Sequence, residues 1–174
     1  MKAVLMSIHH KWCEKIFNGS KTIEVRKSRP SIDMPFKVYV YETKGKTKYW
    51  SQPMPIPYTE GRGKVIGEFV CDRIICCQAY YDDSGKKHLT NLFGVDTSKI
   101  CLSELEIFDY IIGKDKKDGI GWLWHITDLK IYDKPKELSE FRKVCLNGKC
   151  SDCIYEECKI TRPPQSWCYV EELQ

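Results

Sequence analysis

A chain of 174 residues with 42% hydrophobic content and five tryptophans carries enough apolar material for a real core, which excludes intrinsic disorder. Nothing in it approaches the run of about twenty apolar residues that a membrane span requires. A formal charge of +4 permits an anionic partner, yet falls short of the strong basicity that indicates nucleic-acid binding by itself.

Ten cysteines would mark a disulfide framework in an exported chain. Here an apolar run from Ala3 to Ile8 starts at once, with no charged leader or small-residue cleavage site. A cytoplasmic chain with reduced thiols is therefore expected. Cys13, Cys71, Cys76, Cys77, Cys101 and Cys168 lie in apolar segments and read as small buried hydrophobes.

In chain order, residues 2–8 read as a strand covered on both faces. Trp12, Cys13, Ile16 and Phe17 recur at helical spacing and predict a helix over 11–18, stopped at Asn18-Gly19. Lys21 to Lys27 alternates with period two, and Lys37 to Glu42 does the same; both are strands. Residues 43–63, rich in lysine, proline and glycine, form a long loop of the kind that is usually functional. Lys64 to Cys77 reads as a long strand or bent hairpin with a bulge at Gly67. Ser103 with Glu106 makes a capping box before the stripe Ile107, Phe108 and Ile111, and Gly113 ends that helix. Residues 121–131 are the strongest strand, Pro135 starts a short helix carrying Leu138 and Phe141, and Ser166 to Glu171 is the last strand. About six strands with two or three peripheral helices, in no alternating rhythm, predict an α+β, mainly β fold: a small barrel. One domain over 1–174 is expected.

The chemistry concentrates in Gly19-Ser20-Lys21-Thr22-Ile23-Glu24-Val25-Arg26. Alternate strand residues share a face, about 6–7 Å apart, so Ile23 and Val25 turn to a core while Thr22, Glu24 and Arg26 turn the other way. Lys21 stands at the strand mouth. Lys21 and Arg26 suit phosphates, the arginine as a bidentate fork, and Glu24 suits an N–H on a base edge. The plain alternative is an outward face with a Glu24–Arg26 ion pair worth roughly 0–1 kcal/mol.

This segment resembles the glycine, Lys-Thr, Glu and Arg pattern of the ASCH domain family. The run from Trp122 to Pro135 looks like that family's penultimate strand, and Pro163 to Glu172 resembles the closing strand of phage-type and prophage-type bacterial members. His9-His10 departs from the pattern, because relatives often carry a basic residue and a proline there. The resemblance implies a PUA-like β-barrel whose cleft lies beside the first helix and the Lys-Thr-x-Glu-x-Arg strand. It also implies engagement of RNA or a nucleotide, the partner expected here. Some small bacterial members hydrolyse acetylated cytidine. The lysine matching Lys21 is catalytic in those enzymes, and the position of Glu24 is a nucleophilic threonine. A carboxylate serves as a base toward water but does not replace a hydroxyl nucleophile. A hydrolase reading, with Lys21 and Glu24 as acid and base, thus stands beside the binding reading.

Two further segments invite function. Lys44, Lys46 and Lys48 stand beside Tyr49 and Trp50, a mixture that holds single strands by charge and stacking, or equally a solvated loop whose Trp50 packs down. Cys145, Cys150, Cys153 and Cys158 have the close spacing of a structural zinc knuckle, though a loop of reduced thiols fits as well. Such a knuckle would also suit a protein-docking adaptor. Trp122, Trp124 and Trp167 read as core or its edge, and His125 as a structural histidine.

Overall fold

The structure is a computed structural model and describes residues 1–45, 61–114, 116–144 and 158–173. Its backbone divides into two compact units, one made of Met1–Glu14, Phe36–Phe69 and Leu129–Gln174, the other of Lys15–Pro35 and Val70–Asp128.

In the first unit, β1 (Lys2–His9) is buried along its length except at its ends. That burial follows from the nearly continuous apolar run, whose one polar member, Ser7, is satisfied by donating to Pro164 O at 2.6 Å. β1 pairs in parallel with β3 (Phe36–Thr43) and antiparallel with β9 (Trp167–Glu171). With β4 (Val65–Cys71) and β8 (Thr127–Lys136) these strands form one sheet in the order β8-β4-β3-β1-β9. Ala3, Leu5, Tyr39, Tyr41, Val65, Phe141, Ile160 and Val170 make its core cluster. Pro135 lies within β8, and the short helix expected after it is a single 3-10 turn, Leu138–Glu140.

The second unit holds a four-stranded sheet in the order β2-β7-β5-β6, built from β2 (Ile23–Arg26), β5 (Ile74–Tyr81), β6 (Lys87–Thr90) and β7 (Asp118–His125). Helix α1 (His10–Phe17) closes at Gly19, whose φ of 76° is the left-handed conformation that glycine adopts without strain. Helix α2 (Glu104–Ile112) starts at the capping box: Glu106 N donates to Ser103 Oγ, and Ser103 N donates to Glu106 Oε2 at 2.8 Å. Its Ile107, Phe108, Ile111 and Ile112 pack with Ile23, Val25, Cys77 and Leu123. A Cβ on Gly121 of β7 would lie 2.4 Å from Ile111 Cδ1 and 2.9 Å from Cys77 Sγ, so this glycine is what lets helix and sheet approach.

Among the described residues there are nine strands in two open sheets, which corrects the expected closed barrel of about six. Closure requires the edge strands of one sheet to pair with each other. Here β8 and β9 are the edges of one sheet and β2 and β6 the edges of the other. Two runs each supply strands to both sheets: the one read as Lys64 to Cys77 breaks at Asp72-Arg73 between β4 and β5, and the one read as 121–131 breaks at Ile126 between β7 and β8. Hydrophobic alternation persists across such breaks, so the pattern hides them. The α+β, mainly strand character holds. No helix among the described residues is long and apolar enough to cross a membrane.

Candidate functional site

β2 lies along β7 with Ile23 opposite His125, Glu24 opposite Trp124, Val25 opposite Leu123 and Arg26 opposite Trp122. Period-two alternation sends Ile23 and Val25 into the core that α2 covers. Glu24 and Arg26 therefore share the opposite face with the two tryptophans. Thr22 precedes the strand and is held by its backbone, its N–H donating to Lys99 O and its carbonyl accepting from Ile126 N–H.

Lys21, Glu24 and Arg26 converge, and they are buried: their fractional exposures are 2%, 7% and 8%. Lys21 Nζ donates to Ile23 O at 2.8 Å and to Ile100 O at 2.7 Å, and lies 3.2 Å from Glu24 Oε2. The other carboxylate oxygen, Oε1, is 3.0 Å from Arg26 Nη2. Two cations thus hold one carboxylate out of water. Tyr110 of α2 hydrogen-bonds Arg26. Burial raises the tyrosine's pKa, while the guanidinium pulls it back down. On the flank, Arg29 stacks over Trp122 at 4.7 Å and Lys27 sits 5.3 Å above the Tyr110 ring.

The first unit contains a second buried carboxylate that sequence reasoning missed. Glu42 of β3 is 4% exposed, and His10 Nδ1 stands 2.7 Å from its Oε1. Arg62 N donates to Oε2 at 2.8 Å. His10 Nε2 also reaches Glu14 at 3.4 Å, one helical turn along α1. The available sequence signal was a carboxylate ending the apolar alternation of Val38 to Tyr41.

Of the loop residues expected to contact a ligand, Lys44 is exposed, and its stem runs so close to Gly63 that a Cβ there would lie 2.3 Å from it. Lys46, Lys48 and Trp50 lie outside the described residues. So do Cys145, Cys150 and Cys153; Cys158 is half-buried, and its carbonyl accepts from Lys143 N at 2.8 Å. Among the described residues no group of three or more His, Cys, Asp or Glu side chains is placed to hold a metal ion, which corrects the zinc expectation. Cysteine spacing alone does not bring thiolates to a common centre; tetrahedral closure is a property of the folded backbone. Trp124 is fully buried, in line with its core reading, and His125 Nδ1 engages Asp72 at 2.7 Å.

A family model described as the ASCH domain matches residues 6–99, a span that includes Lys21 to Arg26 and also His10 and Glu42. Among solved structures, a serine-to-alanine mutant of ASCH from Zymomonas mobilis aligns at 17% identity and a TM-score of 0.56, covering 98% of this chain and 89% of that one. Unmutated ASCH from Zymomonas mobilis aligns at 18% identity and a TM-score of 0.52, covering 98% and 88%. A tyrosine-to-phenylalanine mutant of the same protein gives 18% and 0.52, covering 99% and 92%. At these identities the likeness shows the fold alone. No curated protein matches the chain.

Proposed function

Because the chain belongs to the ASCH domain family, we propose that it binds RNA or a nucleotide, with Lys21, Thr22, Glu24 and Arg26 as the recognition array. The observation that carries this reading is the buried Lys21–Glu24–Arg26 network. Burying ions costs several kcal/mol each, roughly, and apolar side chains of similar volume would serve the fold as well or better. Buried charges kept in spite of that cost are candidates for a functional site. Lys21 has its donors on Ile23 O, Ile100 O and Glu24 and acts as a fixed cation, so the phosphate contact is assigned to Arg26, which brings a planar fork of donors. Glu24 holds both cations in place beforehand, which lowers the ordering cost on binding. Lys44 and the rest of the 43–63 loop are proposed to assist.

The alternative is a hydrolase acting on an acetylcytidine-like amide or on RNA, with Lys21 and Glu24 as acid and base. Their separation of 3.2 Å favours it, being within reach of proton transfer. Against it, the Lys21 ammonium faces three acceptors, two carbonyls and the carboxylate, which suits a fixed cation better than a base.

The test is a mobility-shift titration of single-stranded RNA at several salt concentrations. The wild type is expected to bind with salt-dependent affinity. Arg26→Lys, which keeps the charge and loses the fork, is expected to weaken binding about tenfold, or about 1.4 kcal/mol, with an unchanged circular dichroism spectrum. Full affinity in Arg26→Lys would remove the array from recognition. Conversion of acetylcytidine or cleavage of the RNA, lost in Lys21→Ala while the fold persists, would establish the hydrolase instead.

A further inference from the structure

A cavity of about 590 Å³ lies in the first unit against β9, within the roughly 300–1,000 Å³ range of ligand pockets. Its apolar lining includes Ile160, Cys168 and Tyr169, and its charged lining is Lys2, Lys143 and Arg162. Among the described residues that line it there is no carboxylate. A cavity of about 500 Å³ beside β5 and β7 differs in this respect, because Lys117 there is offset by Asp118. Lys143 and Arg162 are exposed, and among the described residues neither is paired with a carboxylate. Lys2 sits 5.0 Å over the Tyr169 ring, and Trp167 meets that ring edge-on at 5.4 Å, so the aromatic wall is braced.

We propose that this cavity is a second contact site for the RNA strand, taking one nucleotide with its phosphate on Lys143 and Arg162 and its base against Ile160, Cys168 and Tyr169. Three cations, with no acid among the described lining residues, favour an anion, and the apolar wall favours one that carries a planar, weakly polar body. A nucleotide combines both, whereas a bare phosphate would leave the wall unused. This inference rests on RNA being the ligand proposed above.

The experiment uses the full chain, a short oligouridine carrying 5-iodouridine, and the double variant Lys143→Ala/Arg162→Ala. Each phosphate neutralised on a single strand contributes about 0.7 to the slope of log affinity against log salt. The double variant is expected to lower the wild-type slope by about 0.7, the share of the one phosphate both side chains hold, with unchanged melting, since both side chains are exposed. Ultraviolet cross-linking followed by peptide mapping is expected to mark Tyr169 in the wild type and to lose that mark in the variant. If the wild type binds oligouridine while the double variant keeps the full slope and Tyr169 stays unmarked, this inference falls and the array reading stands. If the slope falls and Tyr169 is marked while Arg26→Lys binds normally, the array reading falls and the second site stands. If the wild type binds no oligouridine at low salt, both fall.

Discussion

Glu24→Gln removes the charge that joins two buried cations and leaves the shape of the side chain nearly intact. The contacts at 3.2 and 3.0 Å each correspond to a gross attraction of about 5 kcal/mol at an effective dielectric of about 20. Most of that offsets desolvation, so the measurable quantity is the cost of leaving the partners uncompensated, about 3–5 kcal/mol for a broken buried pair. Lys21 keeps its two carbonyl acceptors, which places the expectation near the lower figure. For a chain of this size about 2–4 °C of melting temperature accompanies each kcal/mol, so a loss of roughly 6–12 °C is expected by circular dichroism melting. Arg26→Met measured alone and with Glu24→Gln completes a cycle. The double variant should be less damaged than the sum of the singles by about 0.5–3 kcal/mol. A fall of under about 2 °C for Glu24→Gln, together with additive effects, would show that the network does not hold charge out of water.

Gly121→Ala drives a methyl into Ile111 and Cys77 and is expected to cost about 1–3 kcal/mol in urea titration, with part regained in Gly121→Ala/Ile111→Val. Ser103→Ala removes the α2 cap and should cost about 1 kcal/mol, read as a lower urea midpoint with an unchanged slope. Asp72 is held below the ordinary carboxylate value of 3.8 by the hydrogen bond from His125, and Asp82 by those from Ser84 and then His88. A depressed folded value means stabilisation that is full above 3.8 and lost as the pH falls through the folded value. The wild-type melting temperature should therefore drop on the acid side of 3.8, and Asp72→Asn and Asp82→Asn should each shallow that drop in melts followed from neutral to acid pH.

What could be read locally was read from local causes. Ser103 and Glu106 meet across one helical turn, so the capping box needs no distant partner. Ile23 and Val25 take one side of β2 and Glu24 and Arg26 the other because the pleat repeats every two residues. The helix over His10–Phe17 and its stop at Gly19 follow in the same way. The small strand β6 went unread because Lys87–Thr90 has too few apolar residues to show a period.

The sequence alone therefore determined the type of most elements, though not of β6 or of the segment at Pro135, together with the direction each side chain takes from its own backbone and the charges available at β2. Only the tertiary structure decided that β4 and β5 belong to different sheets, that Lys21, Glu24 and Arg26 sit out of water, and that Glu42 meets His10. Strand pairing and burial join residues tens of positions apart, as in the bond from Lys21 Nζ to Ile100 O. Such pairings are set by which whole surfaces fit together, and a pattern with a period of two or 3.6 residues does not encode that choice.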